Sequence, residues 1–556
     1  MDLLFILFYV GFLLIIELQY FLKLLYNVQL SGYTLGGVFR DFVRSLSGAY
    51  VHWILYLVVF ISLLVINYTN IYFLTFMLIL SGFLLVLSGD KFRAMKSIKY
   101  TKRMWRILVL SVVILFLYTI LTILWMNKIT ILVMMPFILL INYCVLILVL
   151  MCLMPIECVI KLSYIRKAKI RLLSMKNLIR VGITGSYGKT STKEILHTIL
   201  SEHYYTVSTP KSFNTPMGIT KVVLNNLKNT HEVFVCEMGA KKVGEIKELC
   251  DLVDVGYGIV TSVGRQHTST FGSTANIYRT KKELPDYLTN KSCVFNLTNR
   301  YVREMYHEFT GVKIGVFYTK NHILHNIKLL VKKYTKIYKK YTISVKKYVL
   351  FDAPYVGNVY AKNIEMNENG LLFDVYYNKN KLFSVDIALV GVHNVINTLL
   401  SIAMAIMLGV NTDNIERGIR KIKPIKARLE KFEGESGAII LNNGYNSNID
   451  SVDYSLGALK LFRRPNILVI TPGLIEAKNL YNINKSLGQK IAGVSTEVII
   501  VKKINRDAIY AGLMSRGFDM SKVYFVSSFS DCRKLLATLG NDYVVLIEND
   551  LPDNYI

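Results

Sequence analysis

Five apolar runs near the start of the chain constrain its fold more than anything that follows: Leu3–Tyr26, Tyr50–Asn67, Ile71–Ser88, Ile107–Met126 and Ile129–Cys152. Each approaches the ~20 residues that carry a helix across a bilayer. Backbone polar groups in hydrocarbon must be bonded internally, so runs of this length read as helices. The loop after the third run holds Lys91, Arg93, Lys96, Lys99, Lys102, Arg103 and Arg106, and the segment after the fifth holds Lys161, Arg166, Lys167, Lys169, Arg171, Lys176 and Arg180. The loop after the first has Lys23, Arg40 and Arg44, whereas Tyr68–Asn70 and Asn127–Lys128 are nearly uncharged. Positive loops stay cytoplasmic. The pattern therefore predicts a multi-pass protein of the cell membrane, with the N-terminus outside and everything after the fifth crossing in the cytoplasm. No signal-peptide cleavage pattern is present, so the first run is expected to remain as a span. Buried helices of a large soluble core are the alternative, against which the lengths and the charge asymmetry weigh.

The formal charge of +28 over 556 residues would ordinarily suggest nucleic acid. Much of the excess lies beside apolar spans, where topology and anionic headgroups account for it, and no aromatic–basic platform for nucleic acid is identifiable. No nucleic-acid partner is expected. The 7 cysteines show neither CxxC nor Cys/His spacing, which excludes a zinc site or disulfide framework and fits a reducing compartment.

From Leu178 on, strand-like and helical runs alternate, the signature of a mostly parallel sheet. Strands are predicted at Val233–Cys236, Gly256–Val263, Ser292–Asn296 and Val312–Phe317, with β-hairpin material over Val349–Leu389 and an apolar helix over Val395–Leu408. A second α/β unit follows from about Pro424, with strands near Gly437–Leu441, Asn466–Ile470, Glu497–Val501 and Tyr543–Ile547. The lysine-rich stretch 328–347 reads either as a basic amphipathic insertion on the membrane or as a solvated surface element. The resulting organisation is a transmembrane domain over 1–160, a basic linker over 161–177, a central α/β domain with a phosphate loop over 178–422, and a Rossmann-like C-terminal α/β domain over 423–556.

The chemistry centres on Gly185-Ser186-Tyr187-Gly188-Lys189-Thr190-Ser191, a loop that follows a strand and opens a helix. Glycines let backbone N–H groups curl around phosphates, and a helix N-terminus adds a favourable dipole. Lys189 can neutralise phosphate charge, and Thr190 or Ser191 can hold Mg²⁺. Ile183 stands where the general G-x-x-x-x-G-K-[ST] motif has its first glycine.

This shorter form, with the blocks that follow it, resembles the Mur ligase superfamily, the ATP-dependent amide ligases of peptidoglycan precursor synthesis, and within it the branch that adds D-alanyl-D-alanine. Val235-Cys-Glu237-Met-Gly-Ala240 with Gly244-Glu-Ile246 resembles that branch's E-M-G-A…G-E-I. Thr261-Ser-Val-Gly-Arg-Gln-His267 with Phe271-Gly-Ser273 is similar to T-N…H-L…F-G-S. Thr280-Lys281-Lys-Glu-Leu284 stands where the family has A-K-x-E-I, and Gly391-Val-His393-Asn394-Val-Ile-Asn397 matches G-x-H-N-x-x-N. Ala427-Arg428-Leu-Glu430 matches the arginine motif, and Leu441-Asn-Asn-Gly-Tyr445-Asn-Ser-Asn448-Ile-Asp450-Ser451 resembles I-D-D-S-Y-N-A-N-P-D-S. The blocks fall in family order between Thr184 and Ser451.

The resemblance implies an enzyme that activates a peptidyl carboxylate as an acyl phosphate and joins it to an amino acid or a dipeptide such as D-Ala-D-Ala. ATP and Mg²⁺ are the implied cofactors, and a cell-wall precursor and the lipid bilayer the partners. Lys189, His267 and Lys281 are the implied catalytic residues. Thr190, Glu237, His267 and Lys281 make up the metal set, with Lys281 carrying a carbamate made from CO₂. Gly185, Ser186, Gly188, Lys189, Thr190 and Ser191 take the phosphates, Asn394 and Asn397 the adenine, and Arg428 a phosphate from the C-terminal domain. Asn443 lies beside the nucleotide. Lys282 is the neighbouring alternative to Lys281.

Two departures stand out. The membrane runs occupy the place of the family's UDP-binding domain, which opens the way to a lipid-linked or membrane-presented precursor. The Asp pair of I-D-D-S-Y is Asn442–Asn443 here, which removes negative charge near the nucleotide. A membrane sensor or transport-coupled ATPase with a degenerate ligase-like domain is the alternative function.

Overall fold

Leu178–Ile183 is apolar apart from Arg180, as suits a strand covered on both faces. In the computed structural model, Ile179–Thr184 forms β1 in the interior of a nine-stranded sheet. The structure describes residues 21–22, 24–39, 100–125, 138–210, 212–264, 271–318, 358–445, 449–475 and 479–549. They belong to two compact units, Met1–Ser163 and Tyr164–Ile556.

In the first unit, the helix Lys102–Trp125 is apolar on most sides. Met104 and Ile107 are buried against Phe21, Leu24, Tyr143 and Leu146, while Trp105, Val109, Val113 and Phe116 are exposed. A helix with apolar residues all round needs cover on every face. Arg106 is the polar anchor of this unit, its Nε donating to Glu157 at 2.7 Å. Of the five expected spans, Ile107–Met126 and Ile129–Cys152 coincide in large part with the helices Lys102–Trp125 and Ile138–Ser174. The runs 50–67 and 71–88, most of 3–26, and residues 126–137 lie outside the described residues. Among the described residues, one helix, Asn142–Ser174, is long and apolar enough to cross a membrane by length and composition.

The stretch 161–177, expected to be a basic linker, is helical as far as Ser174. Ala168 and Leu172 are fully or nearly fully buried in the second unit's core, and two of the arginines counted as topology signals have structural work. Arg171 donates to the carbonyls of Leu224 and Leu227 at the C-terminus of the helix Pro216–Asn225, where a cation complements the helix dipole. Arg180 donates to the carbonyls of Leu172 at 2.6 Å and Met175 at 3.0 Å, and pairs with Asp254 at 2.8 Å. These carbonyls would otherwise lack partners at a helix end.

The first sheet runs in the order β2 (Thr206–Ser208), β3 (Val233–Glu237), β1, β4 (Tyr257–Val260), β5 (Ser292–Asn296), β6 (Val312–Tyr318), β7 (Asn358–Asn367), β8 (Gly370–Tyr377) and β9 (Asn380–Ile387). Pairing is parallel from β2 to β7 and antiparallel from β7 to β9. One face packs Val181, Ile183, Val235 and Ile259 against the helices Lys189–Leu200 and His393–Met407. The other packs Phe234, Cys236, Val260 and Phe295 against Glu245–Val253 and Thr274–Tyr287. Leu196 is 0 % exposed, so Leu196→Ala would cost roughly 2–5 kcal/mol.

The second sheet has the order β10 (Glu430–Glu433), β11 (Ile439–Asn443), β15 (Tyr543–Glu548), β12 (Asn466–Thr471), β13 (Glu497–Val501) and β14 (Val523–Val526). Only β10 is antiparallel to its neighbour. The change of sheet falls between the helix Thr412–Arg420 and β10. The insertion 328–347 and the first part of the expected hairpin region, up to residue 357, lie outside the described residues.

Candidate active site

Chain order reverses beside β1: the strands lead outward through β3 and β2 on one side and through β4 on the other. Such a switch point opens a crevice at the carboxyl ends of the strands. The loop after β1 and the loop after β4 meet there. Thr261 N donates to Thr184 O at 2.9 Å, Ser186 N to Ser262 O at 2.7 Å and Tyr187 N to Ser262 Oγ at 2.8 Å. Two glycines make the turn possible. Gly185 has φ +149°, and a Cβ on it would lie 2.0 Å from Thr261 Oγ1. Gly188 has φ +80°, with Asn397 Oδ1 2.5 Å from the place of its Cβ. Ser186 and Ser191 are buried, Ser186 Oγ accepting from Gly264 N at 3.0 Å.

The helix Lys189–Leu200 starts at this turn and aims two basic side chains and a hydroxyl at the end of β3. Lys189 Nζ, partly buried, donates to Gly185 O at 2.6 Å. Thr190 Oγ1 donates to Glu237 Oε2 at 2.9 Å, so between the two hydroxyls offered by the sequence it is Thr190 that faces the carboxylate. Lys193, one turn on, is 0 % exposed, donates to Thr209 O at 2.6 Å and stands 3.8 Å from Glu237 Oε2. Glu237 itself is 2 % exposed, and its other oxygen accepts from Asn214 Nδ2 at 3.0 Å. Lys193, Thr209 and Asn214 escaped the sequence reading. The only signal for Thr209 and Asn214 was the pairing of β2 beside β3, which brings both to Glu237, and for Lys193 the pairing of β1 with β3.

Lys281 lies in the helix Thr274–Tyr287, 3 % exposed. Its Nζ has no hydrogen-bond or ion-pair acceptor among the described residues and sits 5.9 Å from the centre of the Phe271 ring. Burial, then the Lys189 charge, bring it down from the usual lysine value to about 7. Lys282 points elsewhere, paired with Glu308 at 2.6 Å. Of the two lysines, Lys281 is therefore the one turned into the protein. Lys189 is likewise held below the ordinary value, by burial first and by Arg428, against the pull of Glu237.

Arg428 arrives from the segment before β10. Its Nη1 donates to Tyr445 O at 2.9 Å, Nη2 lies 3.5 Å from Thr190 Oγ1, and the guanidinium covers the Tyr445 ring at 4.5 Å. One buried carboxylate thus faces Lys189, Lys193 and Arg428. The surplus of positive charge in a desolvated crevice suits a polyphosphate, whose binding would offset it.

Asn394 and Asn397, expected at adenine, stand behind the loop. They are 2 % and 4 % exposed; Asn394 Nδ2 donates to Val390 O at 2.9 Å and Asn397 Nδ2 to Asn394 Oδ1 at 3.0 Å. Thr192 Oγ1 reaches Asn397 Oδ1 at 3.4 Å. These amides brace Gly188 and the helix start. The neighbouring His393 is the open group: its buried Nδ1 lacks a partner among the described residues, and burial, then Arg428, bring its pKa down to about 4. Asn443 Nδ2 donates to both oxygens of Glu548, at 3.2 and 3.1 Å. His267 lies outside the described residues.

Residues Glu237 and Thr190 supply hard oxygen donors of the kind Mg²⁺ takes. That ion commonly uses one or two protein carboxylates and completes its shell with water and substrate phosphate. No group of three or more His, Cys, Asp or Glu able to hold a metal occurs among the described residues. Glu237 and Thr190 therefore fit a magnesium brought with a nucleotide.

Comparison with known proteins finds similarity over the same segment. Residues 183–405 match the Mur ligase middle domain. The UDP-N-acetylmuramoyl-tripeptide--D-alanyl-D-alanine ligase of Bacillus subtilis is 27% identical over 272 residues, 49% of this chain and 50% of that protein. Its Synechocystis counterpart is 25% identical over 372 residues, 65% of this chain and 68% of the relative. The chain thus spans about half the length of the first of these curated relatives. Among solved structures, MurF of Acinetobacter baumannii aligns with TM-score 0.56 at 20% identity, covering 70% of this chain and 77% of its own. MurF of Thermotoga maritima in complex with ADP aligns with TM-score 0.55 at 20% identity, over 70% and 80%. At this identity the structural likeness establishes the fold.

Proposed function

We propose that this chain, with its Mur ligase middle domain, is an ATP-dependent amide ligase of cell-wall precursor synthesis. It activates a peptidyl carboxylate as an acyl phosphate and joins it to an amino acid or dipeptide such as D-Ala-D-Ala. The observation that carries the reading is the crevice in which Lys189, Thr190, Glu237 and Arg428 converge, with Arg428 delivered from the second sheet. Relatives bearing the D-alanyl-D-alanine ligase name support the substrate class.

In this mechanism the loop Gly185–Gly188 wraps its backbone around the phosphates, and Lys189 and Arg428 hold the transferring group. Their aim is fixed before reaction, so little reorganisation is needed as charge moves. Glu237 and Thr190 would hold Mg²⁺, which supplies Lewis-acid stabilisation of charge shared by phosphate and carboxylate. The precursor carboxylate attacks the γ-phosphorus and ADP leaves; the neutral amine then attacks the acyl carbon, phosphate is expelled, and the proton lost from nitrogen leaves with the phosphate. Lys193 keeps Glu237 compensated throughout. The base is assigned to the side of the crevice where His393 Nδ1 is open, with Asn394 and Asn397 bracing the loop.

Lys281 fits a modified state. An amine held near neutrality, without an acceptor among the described residues, adds CO₂ to give a carbamate and a proton, and the product carries hard oxygen donors. Loss of ligation in Lys281→Ala with partial restoration by acetate would support it, and full activity of that variant would exclude it.

The membrane runs give the enzyme its location: five spans, catalytic unit in the cytoplasm, and a precursor presented at the bilayer. The test of the chemistry is isotopic. With ¹⁸O in the precursor carboxylate, one label should appear in the released phosphate; phosphate free of label would exclude an acyl phosphate.

A further inference from the structure

The segment matching I-D-D-S-Y has lost both acids, yet the structure keeps a carboxylate beside it. Glu548 ends β15, is 0 % exposed, and stands in register with Asn443 of β11. Both of its oxygens accept from Asn443 Nδ2. Adjacent strands lie about 4.8 Å apart, so an acidic group stands one strand away from Asn443. We infer that Glu548 carries the negative charge of this part of the site and that the Asn443–Glu548 pair positions the loop holding Arg428 on the phosphate crevice.

Three contacts connect the pair to the crevice. Asn442 Oδ1 accepts from Gly444 N at 3.0 Å, turning the chain immediately after Asn443. Tyr445, two residues past Asn443, gives its carbonyl to Arg428 Nη1 and its ring to the guanidinium. Arg428 Nη2 reaches Thr190. On the other side, Asn549 N donates to Asn443 O at 3.1 Å and Asn549 Nδ2 to Gly473 O at 2.7 Å, so β15 fixes the ends of both β11 and β12. A buried carboxylate needs donors, and an amide opposite supplies one where a second carboxylate would repel. An aspartate at 443 would therefore face Glu548 carboxylate to carboxylate, which disfavours the charged forms and loosens the pair.

The inference rests on the nucleotide site described above, and its test separates the two. Full-length chain in detergent is titrated with a non-hydrolysable ATP analogue, and Tm is recorded, for wild type, Asn443→Asp, Glu548→Gln and the double variant. Asn443→Asp should weaken nucleotide binding roughly tenfold, within the range of couplings between contacting residues. The double variant, with acid and amide exchanged, should return to within about threefold of wild type. Asn443→Asp binding as tightly as wild type, or a double variant no better than it, overturns the inference. Recovery of Tm in the double variant with nucleotide affinity unchanged in all four proteins makes the pair purely structural and overturns it too. Should Asn443→Asp not fold, Glu548→Gln alone is expected to weaken binding about threefold, and unchanged binding contradicts the inference. A wild-type chain that binds no nucleotide brings down the ligase reading itself.

Discussion

At the residue scale the site depends on charges held where solvent cannot compensate them. Lys189→Ala should lower ADP release at least ~100-fold, the usual effect of removing an aimed donor from developing charge, while Tm stays close to wild type because the side chain is only partly buried. Near-normal turnover would contradict its role. Lys281 gives a pH signature. Its value in the fold, about 7, lies below the usual 10.5, so between those limits the unfolded chain binds the extra proton and stability should rise with pH. In CO₂-free buffer, Lys281→Met should be more stable than wild type at pH 7.5, and the advantage should fade toward pH 10.5; equal pH slopes in the two proteins would contradict the burial argument. The residues that bear chemistry were legible where local sequence creates the geometry, as in the strand, glycine turn and Lys189-Thr190. Lys193 was not. Its position on a basic amphipathic helix says nothing of Glu237, which reaches it only through the pairing of β1 with β3. The burial of Asn394 and Asn397 behind Gly188 was not legible either, because it is set by the packing of two distant helices.

At the element scale, alternating apolar strands and helices made the two α/β units readable, including β5 and β13 at their observed bounds. Short β2, β10 and β14 have too few residues to declare a period, and tertiary pairing alone defines them. The basic stretch after the fifth apolar run misled for a related reason. Charge suggested a linker, whereas Ala168 and Leu172 supply a buried face and Arg171 and Arg180 bond to helix-end carbonyls. The turn between β1 and its helix tolerates no side chain at Gly188. Gly188→Ala combines a positive φ with displacement of Asn397, and should cost roughly 1–3 kcal/mol of stability together with at least a tenfold loss of nucleotide affinity. Wild-type affinity in a folded Gly188→Ala protein would show that the phosphate loop is placed elsewhere.

At the scale of the whole molecule, the proposed five crossings, with the ligase unit on the cytoplasmic side, can be tested by topology. Cysteine labelling in intact cells should find residue 2 accessible from outside and residue 555 protected; both ends on one side would refute five crossings. Arg428 bridges from the second sheet to Thr190, so catalysis should depend on that approach, and Arg428→Ala should raise the KM for ATP about tenfold with the fold retained. The most direct test of the central claim counts products. Membranes bearing the wild-type chain, supplied with ATP, magnesium, a peptidyl precursor and D-Ala-D-Ala or another candidate amine, should release one ADP for each new amide bond, and both products should fall at least ~100-fold with Lys189→Ala. ADP release without amide, or near-normal amide formation in Lys189→Ala, would contradict this reading.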